Sequence, residues 1–308
     1  MSDQPSVRRI GVMVSWSVSL ALLLALAAIW LKFHNATIRI EDVIGNLTRT
    51  NQMLSQMKAD LLRSVEFEKS AVLSESDAES EAFAAQSLQA IAAVETTRIE
   101  LGKLIESSKH DDEMKSFQEF SQCWTEFQKT EQMVLGLAVQ NTNLKAARLS
   151  QNEANDDVQR FVHDLAELIV TDAAAGNCEQ MVMPVFDAVT SCLRIHYLHT
   201  PHIKAASDRE MDQIEAEMKD NNGTVERSLD MLTELAGERG RIALQDARTA
   251  YADFIKVTEE VVRLSRQNTN VKSLELSLGK KRAVTAECEG ILTGLQEIVQ
   301  SKTFKATR

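Results

Sequence analysis

Residues 123–150 read CWTEFQKTEQMVLGLAVQNTNLKAARLS, and residues 250–277 read AYADFIKVTEEVVRLSRQNTNVKSLELS, 127 positions later. Phe127 answers to Phe254, Lys129 to Lys256, and Gln140-Asn141-Thr142-Asn143 to Gln267-Asn268-Thr269-Asn270. Upstream the correspondence continues at an offset of 131, where Leu62-Arg63 matches Leu193-Arg194 and Ser76-Asp77-Ala78-Glu79 matches Ser207-Asp208-Arg209-Glu210. A unit of roughly 130 residues is therefore present twice, too few copies for a solenoid, which needs about three to close its core.

The repeated code is helical. Ser76 and Ser207 each precede a Glu by three residues, the pattern that caps the first free amides of a helix. Phe117, Phe120, Trp124, Phe127, Val134 and Ala138 recur at steps of three and four, interrupted only by Glu131. Leu244, Ala247, Tyr251, Phe254, Val261 and Ser265 repeat the seam, with Thr258 at the interrupted place. Such a 3.5-residue period means helices packed nearly parallel. A later seam, Leu144, Ala147, Ala154, Val158, Phe161, Leu165 and Leu168, is mirrored by Val271, Leu274, Leu278, Cys288, Leu292, Leu295 and Val299. The two registers do not join across Asn-Thr-Asn, which reads as a helix break, with a stutter in one long helix as the alternative. Helices are expected at about 37–73, 77–107, 111–140 and 143–172, and again at about 179–204, 208–236, 241–267 and 270–300.

The 308 residues carry 34 Lys+Arg against 45 Asp+Glu, a formal charge of −11, with 44% apolar and 26% charged residues. That balance is globular, and its acidity argues against a nucleic-acid partner, which needs a basic face. Three prolines and 11 glycines are too few for an all-β sandwich or barrel. Four cysteines exclude a small disulfide scaffold; Cys192 and Cys288 replace core residues of the first copy, and in an oxidising compartment any pair could bridge.

Ile10 to Leu31, IGVMVSWSVSLALLLALAAIWL, is an uncharged run of 22 residues. As a helix it spans about 33 Å, enough for a hydrocarbon core of ~30 Å. It reads as a transmembrane anchor, with a cleaved signal peptide ending near Ala25-Leu26-Ala27 as the alternative. The expected fold is all-α: an N-terminal transmembrane helix followed by two tandem antiparallel four-helix bundles, side by side. The expected division is a cytoplasmic tail (1–9), transmembrane helix (10–32), first bundle (33–172), linker (173–183), second bundle (184–301) and tail (302–308). The bulk of the chain would lie outside the cytoplasm.

An anchor running into Leu61-Leu62-Arg63, a Leu-Ser-Glu-Ser-Asp turn, then Phe120, Trp124, Phe127 and Leu137-Ala138, resembles the four-helix-bundle sensory module of methyl-accepting chemotaxis receptors. The resemblance covers about 10–172, and a second copy without an anchor covers 178–301. It implies a periplasmic sensor of a bacterial inner membrane, usually dimeric, that binds a small carboxylate or amino acid between bundles. A relay domain, a methylated coiled coil and a kinase signature are missing from the sequence, so output would come from a receptor or kinase partner.

Arg63 and Arg194 occupy equivalent places, as do Lys145 and Lys272. Guanidinium forks pair bidentately with carboxylates, so these four are the candidate ligand contacts, against a reading as solvated helix charges. The repeated Asn141/Asn143 and Asn268/Asn270 read as caps. His196, His199 and His202 form an HxxHxxH run that could ligate a metal or haem iron, although Pro201 is expected to end or kink the helix before His202. No catalytic motif is present, and no cofactor is called for. A ligand-free scaffold is the alternative function.

Overall fold

The computed structural model describes residues 6–173 and 178–306, with side chains from Leu26 onward except at 31, 33–42, 178 and 303–306. Its order is α1 (Ser6–Leu73), α2 (Asp77–Ser108), α3 (Asp111–Ala138), α4 (Thr142–Leu149), a π-helical turn (Ser150–Ala154) and α5 (Asn155–Ala173). Then follow α6 (Cys178–Lys204), α7 (Asp208–Leu235), α8 (Gly240–Gln267), α9 (Thr269–Leu276), a second π-helical turn (Ser277–Lys281) and α10 (Arg282–Ala306). The helix starts follow the local code. Ser76 Oγ accepts the amide of Glu79 at 3.2 Å, and Ser207 Oγ that of Glu210 at 3.3 Å. Both Asn-Thr-Asn segments interrupt the helix, with Asn141 and Asn268 in the left-handed region at φ 49° and 54°. Asparagine tolerates that region better than most residues, so the break is real and the stutter is excluded.

The transmembrane expectation is corrected. Among the described residues, no helix is long and apolar enough to cross a membrane. Ile10–Leu31 lies within α1, which continues unbroken to Leu73 and turns amphipathic, burying Leu47, Leu54, Met57 and Leu61. The side chains of 10–25 and 31 fall outside the described residues. Single-pass anchoring in a bacterial inner membrane, with a periplasmic bulk, is therefore not supported.

The packing of the copies is also not the expected one. The chain divides into two compact units, each discontinuous: Met1–Leu62, Ala90–Thr125 and Ala286–Arg308 make one, Arg63–Gln89 and Glu126–Thr285 the other. The expected boundary at 173–183 is thus not where the units part. In the first unit the fourth helix beside α1, α2 and α3 is α10, from the second copy. Lys58 Nζ on α1 donates to Thr293 Oγ1 (3.1 Å), Lys302 Nζ bonds Glu113 at 2.9 Å, and Cys123 on α3 is bridged to Cys288 on α10 with Cα atoms 5.6 Å apart. Trp124 Nε1 donates to Glu95 (2.8 Å), tying α3 to α2.

In the second unit α6, α7 and α8 take α5, from the first copy, as their fourth helix. Their core joins Val158, Phe161, Leu165 and Leu168 to Cys192, Ile195, Leu229, Leu232, Ala247 and Phe254. Each copy gives its last helix to the other.

The α3 and α8 seams are buried as expected, apart from half-buried Phe117. The later seam is shifted where the helix widens. Leu274 and Leu278 are exposed, and Ser273, Ser277 and Lys281 take the buried places. Pro184 and Pro201 both lie inside α6, which reaches Lys204; the expected break before His202 is absent, each proline forfeiting one ladder bond.

The Cys123–Cys288 bond closes a loop of 165 positions. Loop closure of that length in the unfolded chain corresponds to about 5 kcal/mol, and measured values of 2–5 kcal/mol are common. Reduction, or Cys123→Ser, is expected to lower stability by about 2–5 kcal/mol, read as a lower denaturant midpoint with unchanged helical circular dichroism.

Candidate functional site at the helix crossing

α4 and α9 begin side by side in the second unit, related by a local two-fold. A helix start leaves its first amides without partners in the helix. Here each start is capped by the other. The amide of Thr142 donates to Thr269 Oγ1 and that of Thr269 to Thr142 Oγ1, both at 3.2 Å. The amide of Asn143 donates to Asn270 Oδ1 (3.1 Å) and that of Asn270 to Asn143 Oδ1 (3.2 Å). Asn143 Nδ2 donates to Asn268 Oδ1 (2.8 Å), and Asn270 Nδ2 to Asn141 Oδ1 (3.0 Å). The expected capping role of Asn141 and Asn268 is therefore revised: neither side chain caps its own helix. Thr142, Asn143, Asn268 and Thr269 are all buried.

Each crossing helix next passes through a π-helical turn, and a buried polar cluster sits at each one. At the second turn, Lys281 is buried with its Nζ against Glu131 and 2.9 Å from the centroid of the Phe127 ring. Ser87 donates to the other oxygen of Glu131, and Glu68 is fully buried beside Ser277. Burial pushes the Glu68 carboxyl above its usual range. The like charge of Glu131 adds to this, while Ser277, Lys281 and Lys69 oppose it. Burial pulls Lys281 down to about 8 against the pull of Glu131 and Glu68.

At the first turn the equivalent places hold neutral groups. His199 replaces Glu68, Thr258 replaces Glu131, Ser150 replaces Ser277 and Ala154 replaces Lys281. His199 Nε2 lies 3.1 Å from Thr258 Oγ1, whose own proton goes to the Phe254 carbonyl, so Nε2 carries the hydrogen. Nδ1 then accepts from Ser150 Oγ at 3.0 Å. Burial, with His196 and His202 adding, lowers the His199 pKa to about 3.

The histidine run is not gathered around a metal. His196 meets the Ser150 carbonyl and His202 meets Ser265 and Glu215. Among the described residues no group of three or more His, Cys, Asp and Glu could hold a metal ion. The four candidate ligand contacts are dispersed. Lys145 lies 3.6 Å from Asp77, and Arg194 bonds Glu217 (2.8 Å) and covers the Tyr197 ring. Lys272 donates to the Gln267 carbonyl (2.9 Å), and Arg63 is exposed on α1.

A groove of about 950 Å³ runs along α5 and α8, lined by Asp157, Arg160, Asp253, Lys256 and Arg263 among others. None of the four lines it. Sequence reading missed both this groove and the π turns. The run of buried residues Ala146, Ser150, Ala154 and Val158, always four apart, is the signal of a locally widened helix.

Compared with protein-family models, curated proteins and solved structures, the chain has no significant match.

Asn143→Ala removes an acceptor and two donated bonds at the crossing. It is expected to cost about 1–3 kcal/mol. Combined with Asn270→Ala it should cost less than the sum, since both remove one network, a double-mutant cycle providing the measure.

Two buried groups of these clusters, Glu68 and His199, give stability opposite pH dependences. Glu68, with its folded pKa raised, contributes fully below the unfolded carboxyl range and loses that contribution as pH rises through the folded value. His199, with its folded pKa lowered, contributes above 6.5 and loses the contribution as pH falls toward 3. Glu68→Gln, neutral at every pH, should therefore raise stability more at about pH 8 than at about pH 4, as urea unfolding at the two values will register.

Proposed function

We propose that the chain is a sensory-type helical module without catalytic activity of its own. It binds a small carboxylate or amino acid, and passes a shift of packed helices to a receptor or kinase partner that supplies the output. The observation that carries this reading is the reciprocal crossing. A helix that belongs to one copy, yet starts against and packs with helices of the other, ties the two copies together, and packed helices shift between discrete arrangements. A ligand changes the balance only by contacting one arrangement more favourably.

The α5–α8 groove supports the ligand reading by its room and by Lys256 at its wall, although Arg160 and Arg263 there are already paired with Asp157, Asp253 and Glu260. The resemblance to chemoreceptor sensory bundles supports the same class.

A second reading, a ligand-free scaffold, is favoured by a different observation. Arg194 and Lys145 already have carboxylate partners within their own bundle.

Thermal unfolding with a panel of carboxylates and amino acids separates the two. Ligand at 100 times its Kd adds about 2.7 kcal/mol. A rise in Tm with one such compound, lost in Arg160→Ala or in Arg194→Ala, supports sensing and locates the contact. No rise with any compound supports the scaffold.

A further inference from the structure

α6 is apolar on two opposite faces. One is its core face, with Met181, Ala188, Cys192, Ile195 and His199 buried. The other carries Val182, Phe186, Leu193 and Tyr197, exposed at 49, 58, 46 and 65%, with Met183 at 62% on its flank. At 100° per residue the four lie within one narrow stripe, and half-buried Val189 continues it. Between Glu179 and Arg194 the helix has a single charged residue, Asp187. A surface helix normally needs one apolar stripe, the one that faces its own core, so the second is in excess.

The duplication supplies an internal control. The same face of α1 reads Asn51, Ser55, Lys58, Leu62 and Glu66. There it is polar and satisfied: Gln296 Nε2 donates to Asn51 Oδ1 and Ser55 Oγ, both at 3.0 Å, and Lys58 bonds Thr293. The fold therefore does not require this face to be apolar. In the second copy it carries large apolar side chains that touch solvent.

We propose that this stripe is a self-association surface, on which α6 of a second copy of the chain lies antiparallel across a two-fold axis. Area supports a whole second copy. With about 150–250 Å² for an exposed aromatic side chain and somewhat less for the aliphatic ones, the five side chains present about 500 Å² per copy. A symmetric pair then buries about 1,000 Å² before any rim is added, the lower bound of a specific interface. Charge selects the direction. Glu179 and Arg194, whose guanidinium also bonds Glu217 of its own chain, bracket the stripe, about 22 Å apart along the helix. Antiparallel pairing sets each beside its opposite, whereas parallel pairing opposes like charges. The proposal concerns a different face from the α5–α8 groove and stands whether or not a ligand binds there.

The test is sedimentation equilibrium of the full chain without detergent, beside a variant carrying the first-copy residues, Val182→Asn, Phe186→Ser and Tyr197→Glu. The expected result is a reversible dimer whose dissociation constant rises at least tenfold in the variant, with circular dichroism and Tm unchanged. If the triple variant loses its fold, Arg194→Glu replaces it: alone it should weaken the dimer several-fold, and Glu179→Lys added to it should restore the dimer. A monomer at every concentration, or a dimer indifferent to these changes, overturns the proposal. So does a wild-type chain that stays monomeric and sediments with lipid vesicles through this stripe.

Discussion

Four backbone amides at the starts of α4 and α9 would be buried without partners if either Asn-Thr-Asn segment stood alone. Each is satisfied by a side chain from the other segment. A buried amide without a partner costs about as much as a lost hydrogen bond, so each fourth helix is held in place by the opposite copy. The threonines accept two of these amides at Oγ1, and the asparagines accept the other two at Oδ1, donate at Nδ2 and allow the backbone to turn through the left-handed region. The exchange of fourth helices follows from that arrangement.

The two clusters beyond the crossing show how one geometric slot accepts different chemistry. A π-helical turn places a small hydroxyl residue, Ser150 or Ser277, toward the first helix of a bundle. In one bundle the slot opposite is filled by a neutral imidazole between two hydroxyls. In the other it is filled by two carboxylates and an ammonium under an aromatic ring. Burying that ionic trio costs more desolvation than an apolar filling would, and buried ion pairs seldom repay it in stability. The cluster is better understood as favouring one helix register over others, because sliding α10 by a turn would strand Lys281 away from Glu131.

Much of this was legible in the residues. The helix boundaries near 77, 111, 208 and 240, the break at Asn-Thr-Asn and the seams through Phe127 and Phe254 followed from caps and a 3.5-residue period. The exchange was not legible. The apolar stripe of α5 fits the three helices of either copy equally well, because a heptad seam specifies spacing and not the identity of its partner. The bridge between Cys123 and Cys288 was the strongest latent clue, yet four cysteines leave several pairings open until distances are known. The apolar run at 10–31 misled for a related reason, since composition does not say whether a stretch stands alone or belongs to a helix continuing for many turns. The histidines misled by their spacing: residues three apart share a face, but here each finds its own hydroxyl, carbonyl or carboxylate.

The covalent staple between α3 and α10 also changes what backbone cleavage can do. A single peptide bond cut anywhere between Cys123 and Cys288 leaves two fragments that remain one molecule, since the sulfur bridge spans the gap. Nicked protein would keep its mass on a non-reducing gel and separate only when thiol is added. The long middle of the chain is in this sense insured against proteolysis, whereas a cut on the outer side of either cysteine leaves its piece held by packing alone.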